Sequence, residues 1–139
     1  MSRFQILSLA GALGAALSLA ACGGPQEMTA QGTAIAPGAT AEISVGKTEG
    51  TQTVDLDVQH LAPPERLGAG LSQYAVWVVP QGQQPILAGT LHYDPGSQRG
   101  QLRATTPYQV FEVLVTAEGD SIGQLPSRTI VLHRGVTAP

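Results

Sequence analysis

The chain has 139 residues, seven of them Lys or Arg and ten Asp or Glu, for a formal net charge of −3 with neutral histidines. That length suits one domain, and the lack of any basic run excludes the clustered cationic footprint of a nucleic-acid binder. A single cysteine excludes internal disulfides and thiolate metal clusters, so an apolar core has to supply the stability.

Met1-Ser2-Arg3 opens the chain with one basic side chain, and Phe4 to Ala21 follow without a charge. A basic start, an apolar run and small residues at its end mark a secretory signal. A membrane-spanning helix competes, since about 20 apolar residues cross the hydrocarbon. Against it, the run is rich in Ala, Gly and Ser and ends in small residues rather than a basic stop-transfer cluster. The one cysteine stands at its end, and Leu19-Ala20-Ala21-Cys22 resembles the lipobox of bacterial lipoproteins. The resemblance implies cleavage between Ala21 and Cys22 and a diacylglyceryl thioether on the Cys22 sulfur. One acyl chain binds a bilayer only marginally, at about 0.8 kcal/mol per buried CH₂, whereas two hold stably. The expected address is therefore outside the cytoplasm, on the cell membrane or the outer membrane, with the domain facing the periplasm or the exterior. In proteobacterial lipoproteins an Asp after the cysteine signals retention in the inner membrane. Gly23 in that place points to the outer membrane, without deciding between the two.

Gly23-Gly24-Pro25-Gln26-Glu27 holds too little apolar surface to pack, and up to Ala39 the chain stays rich in Ala, Gly, Thr, Gln and Pro. Residues 22–39 read as a tether with an r.m.s. reach of about 20–25 Å if wholly flexible. A short edge strand at Thr33-Ala34-Ile35 is the alternative, and both readings stand. From Thr40 the period becomes two. Ala41 to Val45, a turn at Gly46 to Gly50, and Thr51 to Val58 with Val54, Leu56 and Val58 inward predict a hairpin.

Two prolines and two glycines make residues 62–70 a loop that breaks both strand and helix. Tyr74 to Val79 is apolar on both faces and predicts a central strand covered on both sides. Pro80 to Pro85 turns the chain, and Ile86 to Tyr93 returns as its neighbour. Asp94-Pro95-Gly96-Ser97 is a turn in which Pro sets φ and Gly is expected to supply a positive one. A short exposed strand at Gln101 to Thr105, a core strand at Val110 to Thr116, a turn at Glu118 to Ser121 and a last strand at Arg128 to His133 follow. The sum is an all-β chain: one antiparallel, Ig-like β-sandwich of about seven strands, or eight with the edge strand, over residues 40–139.

Tyr74-x-Val76-Trp77, Ala88-Gly89-x-Leu91, Phe111-x-Val113-x-Val115-Thr116 and Pro126-Ser127 before Ile130-Val131-Leu132 form a pattern over residues 71–134. It resembles the extracytoplasmic domain of anti-sigma-K factors. That family implies a β-sandwich in which the Tyr-x-Val-Trp strand pairs with the strand carrying Gly-x-Leu. Its sigma-binding region and membrane-spanning helix find no counterpart in this sequence, and a lipid takes the helix's place. The resemblance therefore carries the fold and, as function, only an envelope sensor that reports to a membrane protein.

No catalytic or metal constellation stands out. His60, His92 and His133 lack ligand spacing and have no Cys or Met cluster beside them. Asp55 and Asp57 share a strand face with Glu49 nearby, a weak cation candidate, although an outward strand face is expected to be polar anyway. Ser72, Ser97, Ser121 and Ser127 sit in no nucleophile elbow, and no Gly-rich loop precedes a helix. Trp77 and Phe111 read as core. Loops on a rigid scaffold carry binding, so Pro63, Pro64, Gly82 and Tyr108 are the candidate partner contacts, with the Pro63-Pro64 loop and the Gly82 turn expected at one end of the sandwich. The expectation is a non-enzymatic binding or structural module of the cell envelope, without cofactor, held on the membrane through Cys22 and contacting an envelope protein. A sensor is the alternative reading, and a hydrolase or metal-binding protein the third.

Overall fold

The computed structural model describes residues 23–139; the signal segment, Ala21 and Cys22 lie outside the described residues. Among the described residues there are nine strands: β1 (Gln26–Gln31), β2 (Thr40–Thr48), β3 (Thr51–Gln59), β4 (Gln73–Pro80), β5 (Ile86–Thr90), β6 (His92–Asp94), β7 (Arg99–Thr106), β8 (Val110–Glu118) and β9 (Ile130–Thr137). They form two antiparallel sheets, β1-β2-β3-β7-β6 and β5-β4-β8-β9, packed as a sandwich.

Period-two patterning builds the first sheet. Along β3, Gln52, Val54, Leu56 and Val58 are buried and the residues between them are half-exposed. The β2–β3 hairpin closes on Glu49 and Gly50, with φ of 50° and 82°, which is the two-residue turn whose twist matches the flanking strands. β4 is buried on both faces. Tyr74, Val76 and Val78 join the main core with Ile43, Leu56, Val58, Val113 and Val115. Ala75 and Trp77 form a second small core with Leu114 on the other face, capped by Ile122 of the β8–β9 loop and by Ile130. That loop is the outer cover which the continuous apolar run of β4 requires. Trp77 and Phe111 are core residues, as expected.

The two extra strands arise where hydrophobic patterning is weakest. β1 lies at Gln26–Gln31 and pairs along its whole length with β2. Thr33-Ala34-Ile35 is not a strand; Thr33 donates from its amide to the Val131 carbonyl (2.9 Å) and from its hydroxyl to that of Ile130 (2.6 Å). Ala30, Ala36 and Ala39 are buried, so the expected tether of residues 22–39 contracts to Gly23–Pro25 among the described residues. Alanines and a glycine pack here because the backbone approaches itself closely. A Cβ on Gly32 would lie 1.8 Å from the Ala36 carbonyl oxygen.

The expected Ile86–Tyr93 strand is two strands in different sheets. β5 pairs with β4, the ladder slips opposite Gly89, and after the buried Leu91 the chain crosses to pair with β7 as β6. At the other seam Gly32 bridges to Leu132. Both lateral edges are thus partly closed by chain passing between the sheets, which blunts edge-to-edge association. Two smaller differences concern loops: Pro64–Arg66 makes one 3₁₀ turn, and the positive φ near the Asp94 turn falls on Gln98 rather than Gly96.

Candidate functional site

The sandwich has two ends. One gathers the β2–β3 hairpin, the Gln81–Pro85 turn, the Pro107–Gln109 loop and residues 138–139; the other gathers the β1–β2, β3–β4, β6–β7 and β8–β9 connections. The Pro63-Pro64 loop and the Gly82 turn do not share an end, because they flank β4. The eight residues of that strand hold them about 25 Å apart.

At the Pro63 end the two prolines differ: Pro63 is half-buried. Pro64 is buried, so it offers nothing to a partner. The loop is pinned by two tyrosines, packed edge to face with ring centres 5.5 Å apart. Tyr74 donates its hydroxyl to the Ala62 carbonyl and Tyr93 donates to that of Leu61. Burial pushes both phenols above their ordinary range, with neighbouring charge from Glu65 adding to the effect.

At the Gly82 end the structure brings two predicted contacts together. Tyr108 donates its hydroxyl to Gln83 Oε1 at 3.2 Å, and the Gln81 amide reaches the Val110 carbonyl at 3.3 Å. Gly82 is exposed, whereas Tyr108 is half-buried against the core rather than free. Ile86 and Leu87 open β5 directly after this turn and Val110 opens β8 beside it, each more than two-fifths exposed; as neighbours on one strand Ile86 and Leu87 take opposite faces, and β4 lies between them and Val110. A trough of about 380 Å³ runs between the free edges of β5 and β7, lined by Ile86, Leu87, Ala104, Thr106 and Tyr108. Sequence reasoning missed these apolar residues. Their only local signal is that Ile86 and Val110 open strands directly after polar turns, where a period of two does not say which face they take.

The outer face of the larger sheet carries the acidic residues. Asp55 accepts from Arg103 at 2.7 and 3.0 Å, and Asp57 accepts from Arg99 and, at 3.1 Å, from Gln101. Cross-strand register places Asp55 beside Arg103 and Asp57 beside Gln101. The Arg99 guanidinium holds the Asp57 carboxyl below its ordinary value, against a smaller opposing effect of burial. Glu27 accepts from the Ser44 hydroxyl at 2.7 Å. Glu49 sits at the hairpin tip, away from both aspartates. The cation candidate is thus corrected: its carboxylates already share arginines on β7, and the face is an internally paired polar surface.

The three histidines lie apart. His60 follows β3, His92 stands opposite Gln101 on the outer face of the larger sheet, and His133 is in the body of β9, 3.5 Å from Glu112, rather than at a strand end. Among the described residues no group of three His, Cys, Asp or Glu side chains is placed to hold a metal ion. A buried chain of hydrogen bonds links the second core to its covering loop. Trp77 Nε1 donates to Thr116 Oγ1 (2.9 Å), which donates to Glu118 Oε1 (2.6 Å), and that oxygen also accepts from the Ser127 amide (2.8 Å). Each member is satisfied by the next, so the network serves packing. Among the described residues no helix is long and apolar enough to cross a membrane. Comparison with protein families, with curated proteins and with solved structures finds no match to this chain.

Proposed function

We propose that the chain is an exported lipoprotein, anchored through a lipidated Cys22, whose β-sandwich is a non-enzymatic binding or structural module of the cell envelope. The observation that carries this reading is Leu19-Ala20-Ala21-Cys22 at the end of an uncharged apolar run and three residues ahead of the domain's first strand. A signal and a small-residue cleavage site leave the cysteine at the new N-terminus. The test is to express the whole chain in a bacterium fed an alkynyl palmitate. Label on the wild-type protein, its loss in Cys22→Ser, and a mature N-terminal peptide starting at a modified residue 22 are expected. An unlabelled protein that keeps residues 1–21 would overturn the reading.

The sensor reading shares the anchor and differs in its partner. In its favour stands the pairing of the Tyr74-x-Val76-Trp77 strand with the strand carrying Gly89-x-Leu91, with Val76 opposite Gly89. Crosslinking in intact cells separates the two: one dominant membrane-protein partner supports a sensor, and capture of abundant envelope components alone supports a structural module.

A further inference from the structure

We infer that the Gly82 end of the sandwich is a lipid-docking surface that lies against the bilayer holding the anchor, presenting the Pro63 end outward. The inference rests on the lipid-anchor reading and adds an orientation to it. Three observations carry it. The first is reach: only Gly23–Pro25 separate residue 22 from β1, so even fully extended chain puts Gln26 no more than about 14 Å from the lipidated residue. The second is direction: Gln26 pairs with Val45 near the β2–β3 hairpin, so the chain enters the domain at the Gly82 end. Gly23–Pro25 lie beside Lys47, Thr53 and Arg103, and Arg103 also borders the trough that Ile86, Leu87, Thr105 and Thr106 line.

The third is polarity. The Gln81–Pro85 turn, the Pro107–Gln109 loop and residues 23–25 carry no charged side chain, and the hairpin tip adds only Lys47 and Glu49. Ile86, Leu87 and Val110 are exposed there. The connections of the opposite end carry Glu65, Arg66, Asp120 and Arg128. Moving charged groups out of water is costly and moving apolar ones is favourable, so the Gly82 end is the one that gains from a headgroup–acyl boundary. The contact need not bind alone: the anchor makes it intramolecular, and a high effective concentration fills a weak site.

The single cysteine of the chain makes the test direct. The full chain is expressed with its leader, purified from membranes and reconstituted in phosphatidylethanolamine–phosphatidylglycerol vesicles containing a headgroup spin-labelled lipid. The parent protein should take no thiol-reactive fluorophore, because the Cys22 sulfur is a thioether; labelling at Cys22 overturns the anchor and the orientation together. With the parent unlabelled, Gln84→Cys and Ser121→Cys, both at exposed positions on opposite ends, each carry one probe. Quenching by the spin label is expected to be several-fold stronger at residue 84 than at residue 121. Equal quenching, or stronger quenching at 121, overturns the docking while the anchor stands. Adding Ile86→Ser with Val110→Ser should bring quenching at residue 84 down toward that at 121; no change would show tether length alone at work and overturn the apolar contact. A photo-crosslinker on residue 84 in native membranes should capture lipid, and stoichiometric capture of a protein or of a second copy would replace the bilayer as occupant.

Discussion

Thr116 is the residue on which the second core turns. Its hydroxyl is at once acceptor for Trp77 and donor to Glu118, all three being buried. Thr116→Val keeps the shape, strands the Trp77 indole N–H and leaves Glu118 Oε1 with the Ser127 amide alone; an unsatisfied buried polar group costs about 1–3 kcal/mol. A loss of about 2 kcal/mol in denaturant unfolding is expected, with a shift in the emission of the chain's one tryptophan. Gln52 is the opposite case. It is fully buried on β3, and neither polar atom of its carboxamide has a hydrogen-bond partner among the described residues. Gln52→Met, close in volume, should therefore raise stability by about 1–2 kcal/mol; a loss of stability would show that the amide is satisfied in solution. Asp57 sets the acid limit. Its folded pKa lies below the ordinary 3.8, so its contribution is constant above that value. Below it the unfolded chain takes up its proton first, and stability falls until the folded carboxyl also protonates. Asp94, held down by the Ser97 hydroxyl and the Gly96 amide, acts in the same direction. The pH dependence of unfolding below 3.8 should flatten in Asp57→Asn.

At the scale of elements, the β1–β2 connection is the least forgiving. Gly32 bridges to Leu132 while its amide donates to the Ala39 carbonyl at 2.7 Å, and its Cα faces the Ala36 carbonyl with no space for a methyl group. Gly32→Ala should cost about 3 kcal/mol or more, since the carbonyl it meets is backbone and cannot rotate away. Thermal unfolding reads this directly, and a neutral result would mean that the seam between the sheets opens freely. β2 and β3, which alternate, and β4, which is apolar on both faces, were legible in the sequence because each buries one or both faces in the core. β1 was not. Its buried member is Ala30, and Glu27, Thr29 and Gln31 face solvent, so its place depends on backbone pairing with β2. The break between β5 and β6 was hidden for a related reason: apolar residues stand on both sides of Gly89 without an intervening turn, and the change of sheet is made after the buried Leu91, past the register slip between Leu87 and Gly89.

For the whole molecule, the consequence is a domain that starts at Gln26 rather than Thr40. Removing residues 23–25 should leave the thermal midpoint of the soluble domain unchanged, whereas removal through Gln31 should lower it sharply or abolish folding. Deletion to residue 39 with an intact cooperative transition would restore the long-tether reading. A short tether also changes what the domain meets. On the proposed lipid anchor, about 20–25 Å of coil would let the sandwich tumble freely above the bilayer, whereas three residues would keep one end at the surface and turn the other away.

The sequence alone determined the all-β class, the hairpin, the doubly buried β4 and the core positions of Trp77 and Phe111, because period and apolarity are local properties that burial selects for. It also carried the anchor expectation, which lies in four adjacent residues. Tertiary structure decided which loops share an end, that Pro64 is packed inside its loop, that Asp55 and Asp57 are spoken for by arginines about 45 positions away, and that Ile86, Leu87 and Val110 stay exposed at one end of the sandwich. These are relations between residues distant in the chain, set by strand direction and sheet order, and no local pattern encodes them.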